Sequence, residues 1–243
     1  MIDFHSHILP GIDDGSSCVE ESVELLKLSK NQGIEKITAT PHFYASHDYP
    51  EHFFERREKA KILLDNATAE LPELPKIVVG AEVSYFEGIS DCSFLKGLKM
   101  ENTPLLLVEM PMCRWNSRMI SELNDIYAKN RIVPLIAHID RYIRLLRDKH
   151  IIDYLSGLPV LIQANSSFFL SRKTSKLALS LLSKGKIHLI GSDCHDTTER
   201  TQNLAFAFDV IERKLGQDAL NRISLIEKSV FTNETSLLEG WFI

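Results

Sequence analysis

An α/β fold built on a parallel sheet is predicted by three observations. Short apolar runs rich in β-branched residues recur along the chain, each nearly continuous in apolar character, as strands buried on both faces require. Longer amphipathic stretches separate them, and this alternation is the pattern of βα units. Metal-type side chains stand where the runs end, the place at which parallel-strand barrel enzymes carry their chemistry. In order, the predicted strands are Ile2–Phe4, Lys36–Thr40, Ile77–Ala81, Leu105–Val108, Ile132–Ala137, Val160–Ala164 and Ile187–Gly191. The predicted helices are Val19–Gln32, Glu51–Leu71, Ser117–Asn130, Tyr142–Leu155, Thr174–Ser183 and Leu204–Leu215. In the first of these, Val19, Val23, Leu26 and Lys27 are spaced as one helical stripe and Gly33 stands as a C′ stop. An open doubly wound sheet and a closed barrel are both compatible with seven strands alternating with helices in this way. No Gly/Ser linker, low-complexity tract or fixed-period repeat interrupts the pattern, so residues 1–243 are expected to form a single domain.

Composition narrows the function classes. Of the 243 residues, 44% are hydrophobic and 25% charged, ordinary values for a soluble globular enzyme and wrong for a disordered chain. Lys and Arg number 28 against 33 Asp and Glu, and no basic block occurs, so the electrostatic footprint of a nucleic-acid binder is missing. Apolar stretches such as Leu105–Val108 fall far short of the roughly 20 residues that span a bilayer. The opening Met-Ile-Asp-Phe-His has no basic or apolar leader character. Cys18, Cys92, Cys113 and Cys194 show no C-x-x-C spacing and read as reduced thiols of a cytoplasmic protein.

The placement of the histidines carries the functional argument. His5 and His7 follow the first run, His42 the second, His138 the fifth and His195 the seventh. Glu82, Glu109 and Asp193 occupy equivalent places, and Asp13 and Asp14 lie just past His7. His47, His52, His150 and His188 fit no strand end and read as surface or packing residues. A mouth lined by these imidazoles and carboxylates would repel itself without cations, since buried carboxylates need partners. Imidazole and carboxylate without a thiolate cluster suits Mn²⁺, Fe²⁺ or Zn²⁺ and does not resemble a structural zinc site. The ligand number exceeds what one ion uses, so two or three ions are expected. Such a cluster generates hydroxide at neutral pH and clamps both oxygens of an in-line displacement, which points to phosphate-ester hydrolysis.

Residues 1–15, Met-Ile-Asp-Phe-His-Ser-His-Ile-Leu-Pro-Gly-Ile-Asp-Asp-Gly, resemble the opening of the PHP (polymerase and histidinol phosphatase) superfamily. Thr40-Pro41-His42, Gly80-Ala81-Glu82, Glu109-Met110-Pro111, Ala137-His138-Ile139-Asp140-Arg141-Tyr142, Gln163-Ala164-Asn165-Ser166 and Gly191-Ser192-Asp193-Cys194-His195 continue the match. Together they are similar to the capsule-biosynthesis tyrosine phosphatases of the CpsB/YwqE type. The resemblance implies a distorted (β/α)7 TIM-like barrel, the PHP fold, with a trinuclear and commonly manganese-dependent site. It implies that His5, His7 and Asp193 serve one ion, Glu109 and His138 a second, and His42, His195 and Asp14 a third, with Glu82 shared. Asp13 need not reach the metals. It further implies a phosphotyrosine-containing partner, the tail of a bacterial tyrosine autokinase in capsular or exopolysaccharide production.

On this reading a metal-bound hydroxide attacks phosphorus directly. Arg141, three residues beyond His138, can fork onto two phosphate oxygens, and Arg200 matches a second family arginine. Tyr142, Phe43, Tyr44 and Phe53 are candidates for an aromatic rim around a tyrosine ring. Cys194 to Arg200 also reads as C-x₅-R, the signature of cysteine-dependent phosphatases. Its loop has no glycine and contains Asp196 and Glu199, whose charge opposes phosphate, so the match is taken as chance. The alternatives are a histidinol-phosphatase-like enzyme acting on a small ester, and a PHP-type nuclease, disfavoured by charge. An amidohydrolase lacks its bridging lysine here, and a non-catalytic scaffold would not keep every ligand.

Overall fold

The computed structural model describes residues 1–71, 73–147, 151–232 and 235–242. The chain runs β1 (Ile2–Ser6), α1 (Val19–Asn31), β2 (Lys36–Ala39), β3 (His42–Phe43), α2 (Pro50–Thr68), β4 (Lys76–Val79), β5 (Glu82–Ser84) and α3 (Leu95–Leu98). It continues with β6 (Leu105–Glu109), α4 (Ser117–Asn130), β7 (Val133–Ile136), α5 (Ile139–Leu145), β8 (Leu161–Asn165) and α6 (Ser166–Leu170). Last come α7 (Ser175–Ser183), β9 (Leu189–Gly191), α8 (Leu204–Leu215), α9 (Gln217–Val230) and α10 (Thr235–Glu239).

Every predicted run overlaps a strand, and all described strand pairs are parallel. The order is β1-β2-β4 in one sheet and β3-β5-β6-β7-β8-β9 in the other. Thr40-Pro41 separates β2 from β3 and Gly80-Ala81 separates β4 from β5, so β3 and β5 lie beyond the ends of the second and third predicted runs. Proline has no N–H to give to a ladder, and the strand is interrupted there. Pairing nevertheless keeps one register across the break: Ala39 faces Val79 before it and His42 faces Glu82 after it. At the other edge the two sheets meet, because the Asp193 amide donates to the His5 carbonyl and the His7 amide to the Cys194 carbonyl, both at 2.8 Å. The result is a curled parallel sheet with the carboxyl ends of its strands gathered together.

Alternation along β6 shows how the sheet divides the core. Leu106 and Val108 face the helices, packing in a cluster with Leu25, Leu64, Ile126 and Ile162. Leu105 and Leu107 face the other way, against Phe4, Leu135, Leu161, Leu189 and, from α9, Ile226 and Val230. Glu109 continues the second face, which period-two alternation predicts for residues 105, 107 and 109. The apolar layer thus forms a floor beneath the strand ends. The β1–β2 pairing shifts register between Asp3 and Ser6, the kind of irregularity that re-aims side chains near a site.

The helices depart from prediction in particular places. Tyr142–Leu155 is not one helix: α5 starts three residues earlier, directly after His138, and ends at Leu145, and a separate 3₁₀ turn covers Asp153–Leu155. The expected stop of α1 is observed, with the Gly33 amide donating to the Lys30 carbonyl at 2.8 Å. No predicted element covers α3, α6, α9 or α10. Among the described residues no helix is long and apolar enough to cross a membrane.

Candidate metal centre

The expected convergence is present. His5 Nε2 lies 3.1 Å from both His7 Nε2 and Glu82 Oε2, and 3.5 Å from Asp193 Oδ1. Glu82 is the hub: its Oε2 is 3.3 Å from His7 Nε2 and 3.2 Å from His42 Nδ1, and its Oε1 is 2.8 Å from His138 Nε2. His138 Nε2 also lies 3.4 Å from Glu109 Oε1. On the outer side, Asp14 Oδ1 is 3.3 Å from His42 Nε2 and 3.5 Å from His195 Nε2. His5, His7, Glu82, His138, Asp193 and His195 are buried, His42 and Glu109 half-buried, and Asp14 exposed. All nine residues therefore meet in one place, although they come from both ends of the chain.

Backbone strain accompanies the site. His138 and Asp193 adopt left-handed φ values of 31° and 56°. Such conformations persist where surrounding structure over-determines them. The His138 amide donates to Gln163 Oε1 at 2.5 Å, and Asp193 Oδ2 accepts from Asn165 Nδ2 at 2.8 Å. Two glycines permit the close approach of the remaining loops. A Cβ on Gly191 would stand 2.5 Å from His5 Cβ, and one on Gly15 would stand 2.3 Å from the His7 carbonyl oxygen.

The electrostatics describe a site short of cations. Burial alone would depress the His7 imidazolium, but hydrogen bonds to Asp13 and Glu82 prevail and raise it to about 10. His138 is likewise opposed by burial and raised to about 9 by Glu109 and Glu82. Burial opposes the ionised Glu82 and Asp193, yet neighbouring cationic groups hold both well below the usual carboxylate range. His195 is pushed down to about 4, by burial first and then by the neighbouring His7 charge. The carboxylates thus draw protons onto His7 and His138 but not onto His195.

The donor set fits divalent ions. Among the described residues, His5, His7 and Asp193 form one group of potential ligand atoms lying within 4.8 Å of one another. His7, Asp14, His42 and His195 form a second, and His42, Glu82 and Glu109 a third. His42 Nδ1, His138 Nδ1 and His195 Nε2 are buried without a hydrogen-bond partner. Imidazole nitrogens and carboxylates without thiolate suit borderline or hard ions.

Arg141 and Arg200 both reach Asp193, Arg141 at Oδ2 and Arg200 Nη2 at Oδ1 (2.9 Å). With Asn165 and Asp193 they line a polar cavity of about 220 Å³ beside the cluster.

Several supporting residues were not predicted. Asp13 accepts from His7 Nδ1 at 2.7 Å and from the His42 and Gly15 amides at 3.0 Å, so it faces the far side of the His7 ring. Asp3, fully buried, accepts from the Ser192 amide and hydroxyl and from Gln202 Nε2, which braces the β1–β9 junction. Gln163 matches the family motif but gives no chemical signal of its bond to His138.

The four aromatic candidates do not form a rim. Tyr142, Phe43 and Phe53 are fully buried, and of the four candidates only Tyr44 reaches solvent, stacked on His42 at 5.3 Å. Phe43 follows inward-facing His42 in a strand and so points to the helices, where it packs on Phe53 at 5.1 Å. The Tyr142 hydroxyl is taken by the Met110 amide at 2.7 Å. Cys194 is buried in the helix-facing core, where burial pushes its thiol far up, the opposite of an activated nucleophile. His188 is buried as a packing residue, its Nδ1 accepting from the Ile162 amide at 2.9 Å. His47 and His52 belong to none of the ligand groups, and His150 lies outside the described residues.

Comparisons with known proteins agree with this architecture. The tyrosine-protein phosphatase CpsB of Streptococcus pneumoniae is 30% identical over 236 residues, covering 89% of this chain and 91% of the relative. The tyrosine-protein phosphatase YwqE of Bacillus subtilis (strain 168) is 26% identical over 240 residues, covering 97% and 93%. Crystal structures of YwqE and of S. pneumoniae CpsB, described as unique metal-dependent tyrosine phosphatases, include a chain that superposes with a TM-score of 0.82. That match has 22% identity and covers 96% of this chain and 95% of the other, so the fold is shared. The family model for capsular polysaccharide synthesis, CpsB/CapC, matches residues 1–232, and the chain belongs to the CpsB/CapC family.

Proposed function

We propose that this chain is a metal-dependent protein-tyrosine phosphatase of one domain, acting in the cytoplasm on a tyrosine autokinase of capsular or exopolysaccharide synthesis. The observation that carries this reading is the convergence on Glu82 of His5, His7, His42 and His138, beside an arginine-lined cavity. The fold is a distorted (β/α)7 barrel: β2 with β3 and β4 with β5 each count as one bent strand, and the His7–Cys194 and Asp193–His5 bonds close the ring. Two or three ions, manganese first and iron or zinc as alternatives, would be held by His5, His7, Asp14, His42, Glu82, Glu109, His138, Asp193 and His195. When bound, such ions acidify water and neutralise the charge that builds on phosphoryl oxygens.

The chain's own residues do the rest. Arg141 and Arg200, drawn toward the cavity by Asp193, present guanidinium donors to phosphate oxygens and stabilise charge in the transition state. Asn165 fixes Asp193 by its 2.8 Å bond. Asp13 keeps a proton on His7 Nδ1 and leaves Nε2 turned into the cluster. A phenolate leaves with little need of a proton, so no dedicated general acid is required.

The test is metal analysis of the purified protein, together with hydrolysis of a phosphotyrosyl peptide and of histidinol phosphate, with and without Mn²⁺. Metal-dependent turnover favouring the peptide is expected, and Glu109→Ala and His138→Ala each abolish it while leaving the fold intact. Full activity in either variant refutes the site, and preference for histidinol phosphate refutes the substrate class.

A further inference from the structure

The cavity beside the cluster does not end at Arg141 and Arg200. A second polar cavity of about 130 Å³ adjoins it, and the two share Asp140, Arg144 and Ser167 in their walls. Phe168, Ser171 and Thr174 complete the second one, which lies between α5 and the chain from α6 to α7. Arg144 stands three residues beyond Arg141, so both guanidiniums project from one side of α5. Their situations differ. Arg141 is bound to Asp193, whereas Arg144 is exposed and has no hydrogen bond or ion pair to any described residue.

Asp140 is the one acid among the residues of the second cavity's wall, and it forms no ion pair with Arg144. Asp140 is buried, and its Oδ1 accepts from the Asn165 amide at 3.0 Å. The Thr174 hydroxyl donates to the Phe168 carbonyl at 2.8 Å. Glu199, the exposed acid of the first cavity, does not line the second. An open guanidinium beside the Ser167 and Ser171 hydroxyls, over a buried Phe168, is suited to a short anionic side chain whose methylene rests on the ring.

We propose that Arg144 and this second cavity form a specificity subsite for the carboxylate of an Asp or Glu flanking the phosphotyrosine of the protein substrate. The inference rests on the phosphatase reading above and extends it to the substrate's sequence. Neighbouring cavities with a shared wall lie within reach of a residue about one to three positions away, given about 3.3 Å per extended residue.

The experiment uses the full chain loaded with Mn²⁺ and phosphotyrosyl peptides with Asp, Ala or Lys placed in turn at each flanking position. Wild type is expected to prefer Asp over Ala at one or two positions by about threefold to tenfold in kcat/KM, a preference that shrinks with added salt. Arg144→Ala removes the preference and keeps turnover of phenyl phosphate, which has no flanking residue, within about twofold. Arg144→Glu transfers the preference to the Lys peptide. Equal discrimination in wild type and Arg144→Ala overturns the subsite, as does wild type that ignores flanking charge. A parallel loss on phenyl phosphate assigns Arg144 to the phosphate site and overturns it too. If wild type hydrolyses phenyl phosphate but no peptide, the protein-phosphatase reading itself fails.

Discussion

Asp13→Ala removes a residue that lies behind the cluster. Three bonds disappear: 2.7 Å to His7 Nδ1, and 3.0 Å to each of the His42 and Gly15 amides. The first fixes the His7 tautomer, the Gly15 bond holds the loop that carries Asp14, and the His42 bond holds the strand that carries His42. Outer-sphere carboxylates on a ligating histidine are worth tenfold to a hundredfold in metal affinity. Because Asp13 supports two ligands, the alanine variant is expected near the hundredfold end, about 2.7 kcal/mol. Asp13→Asn keeps an oxygen for the amides and for His7 but loses the charge, so it is expected near tenfold. Mn²⁺ affinity is measured by titration against a competing chelator, with circular dichroism as the check on folding. Wild-type affinity in Asp13→Ala would mean that the His7 ring is set by something else, or that it does not bind metal.

Other perturbations report on the surroundings of the site. Tyr142→Phe strands the buried Met110 amide next to Glu109, and a loss of about 1–3 kcal/mol in urea unfolding is expected; an unchanged midpoint would show that the hydroxyl bond is dispensable. Cys194→Ser should retain both metal and turnover, whereas inactivity with metal retained would restore the thiol as nucleophile. Glu227, buried on α9 with the Ile2 amide at 3.4 Å, is raised to about 7, chiefly by burial. Below the ordinary glutamate range both folded and unfolded chains are protonated and nothing is lost. Between about 4.5 and 7 the unfolded chain releases its proton first, so stability falls as pH rises. Glu227→Gln is therefore expected to be more stable than wild type at pH 8 by up to about 3 kcal/mol, with no difference near pH 4. Equal melting curves at pH 8 would remove the burial argument.

Much of the site was legible because parallel strands buried on both faces write themselves as apolar runs, and the polar residue at each end is conspicuous. His5, Glu82, Glu109, His138 and Asp193 each stand at such an end. The role of Asp13 was not legible: it and Asp14 are chemically alike neighbours, and only the fold of the loop through Gly15 turns one behind His7 and the other toward His42 and His195. The aromatic rim failed for a reason the sequence does contain. With His42 pointing inward, Phe43 must point outward, and strand periodicity outweighs proximity in number. Tyr142 was misplaced along with its helix, since the left-handed turn at His138 that starts α5 early has no sequence signature. In α9, Leu220, Ile223, Ile226 and Val230 fall on one helical face, but no strand-like run stands beside that helix to mark a further βα unit.

The seam where the sheet meets itself has a mechanical meaning. Among the described residues two main-chain bonds, donated by His7 and Asp193, stitch the end of the first strand to the end of the last, while His5 and His7 lie on one lip and Asp193 on the other. An ion gripped by those three side chains would act as a clasp across nearly two hundred residues of intervening polypeptide, so that loading the centre and zipping the molecule become one event. Stripped of its ions, the protein should open first along this line, and the His7 and Asp193 amides should be the earliest to exchange with solvent deuterium.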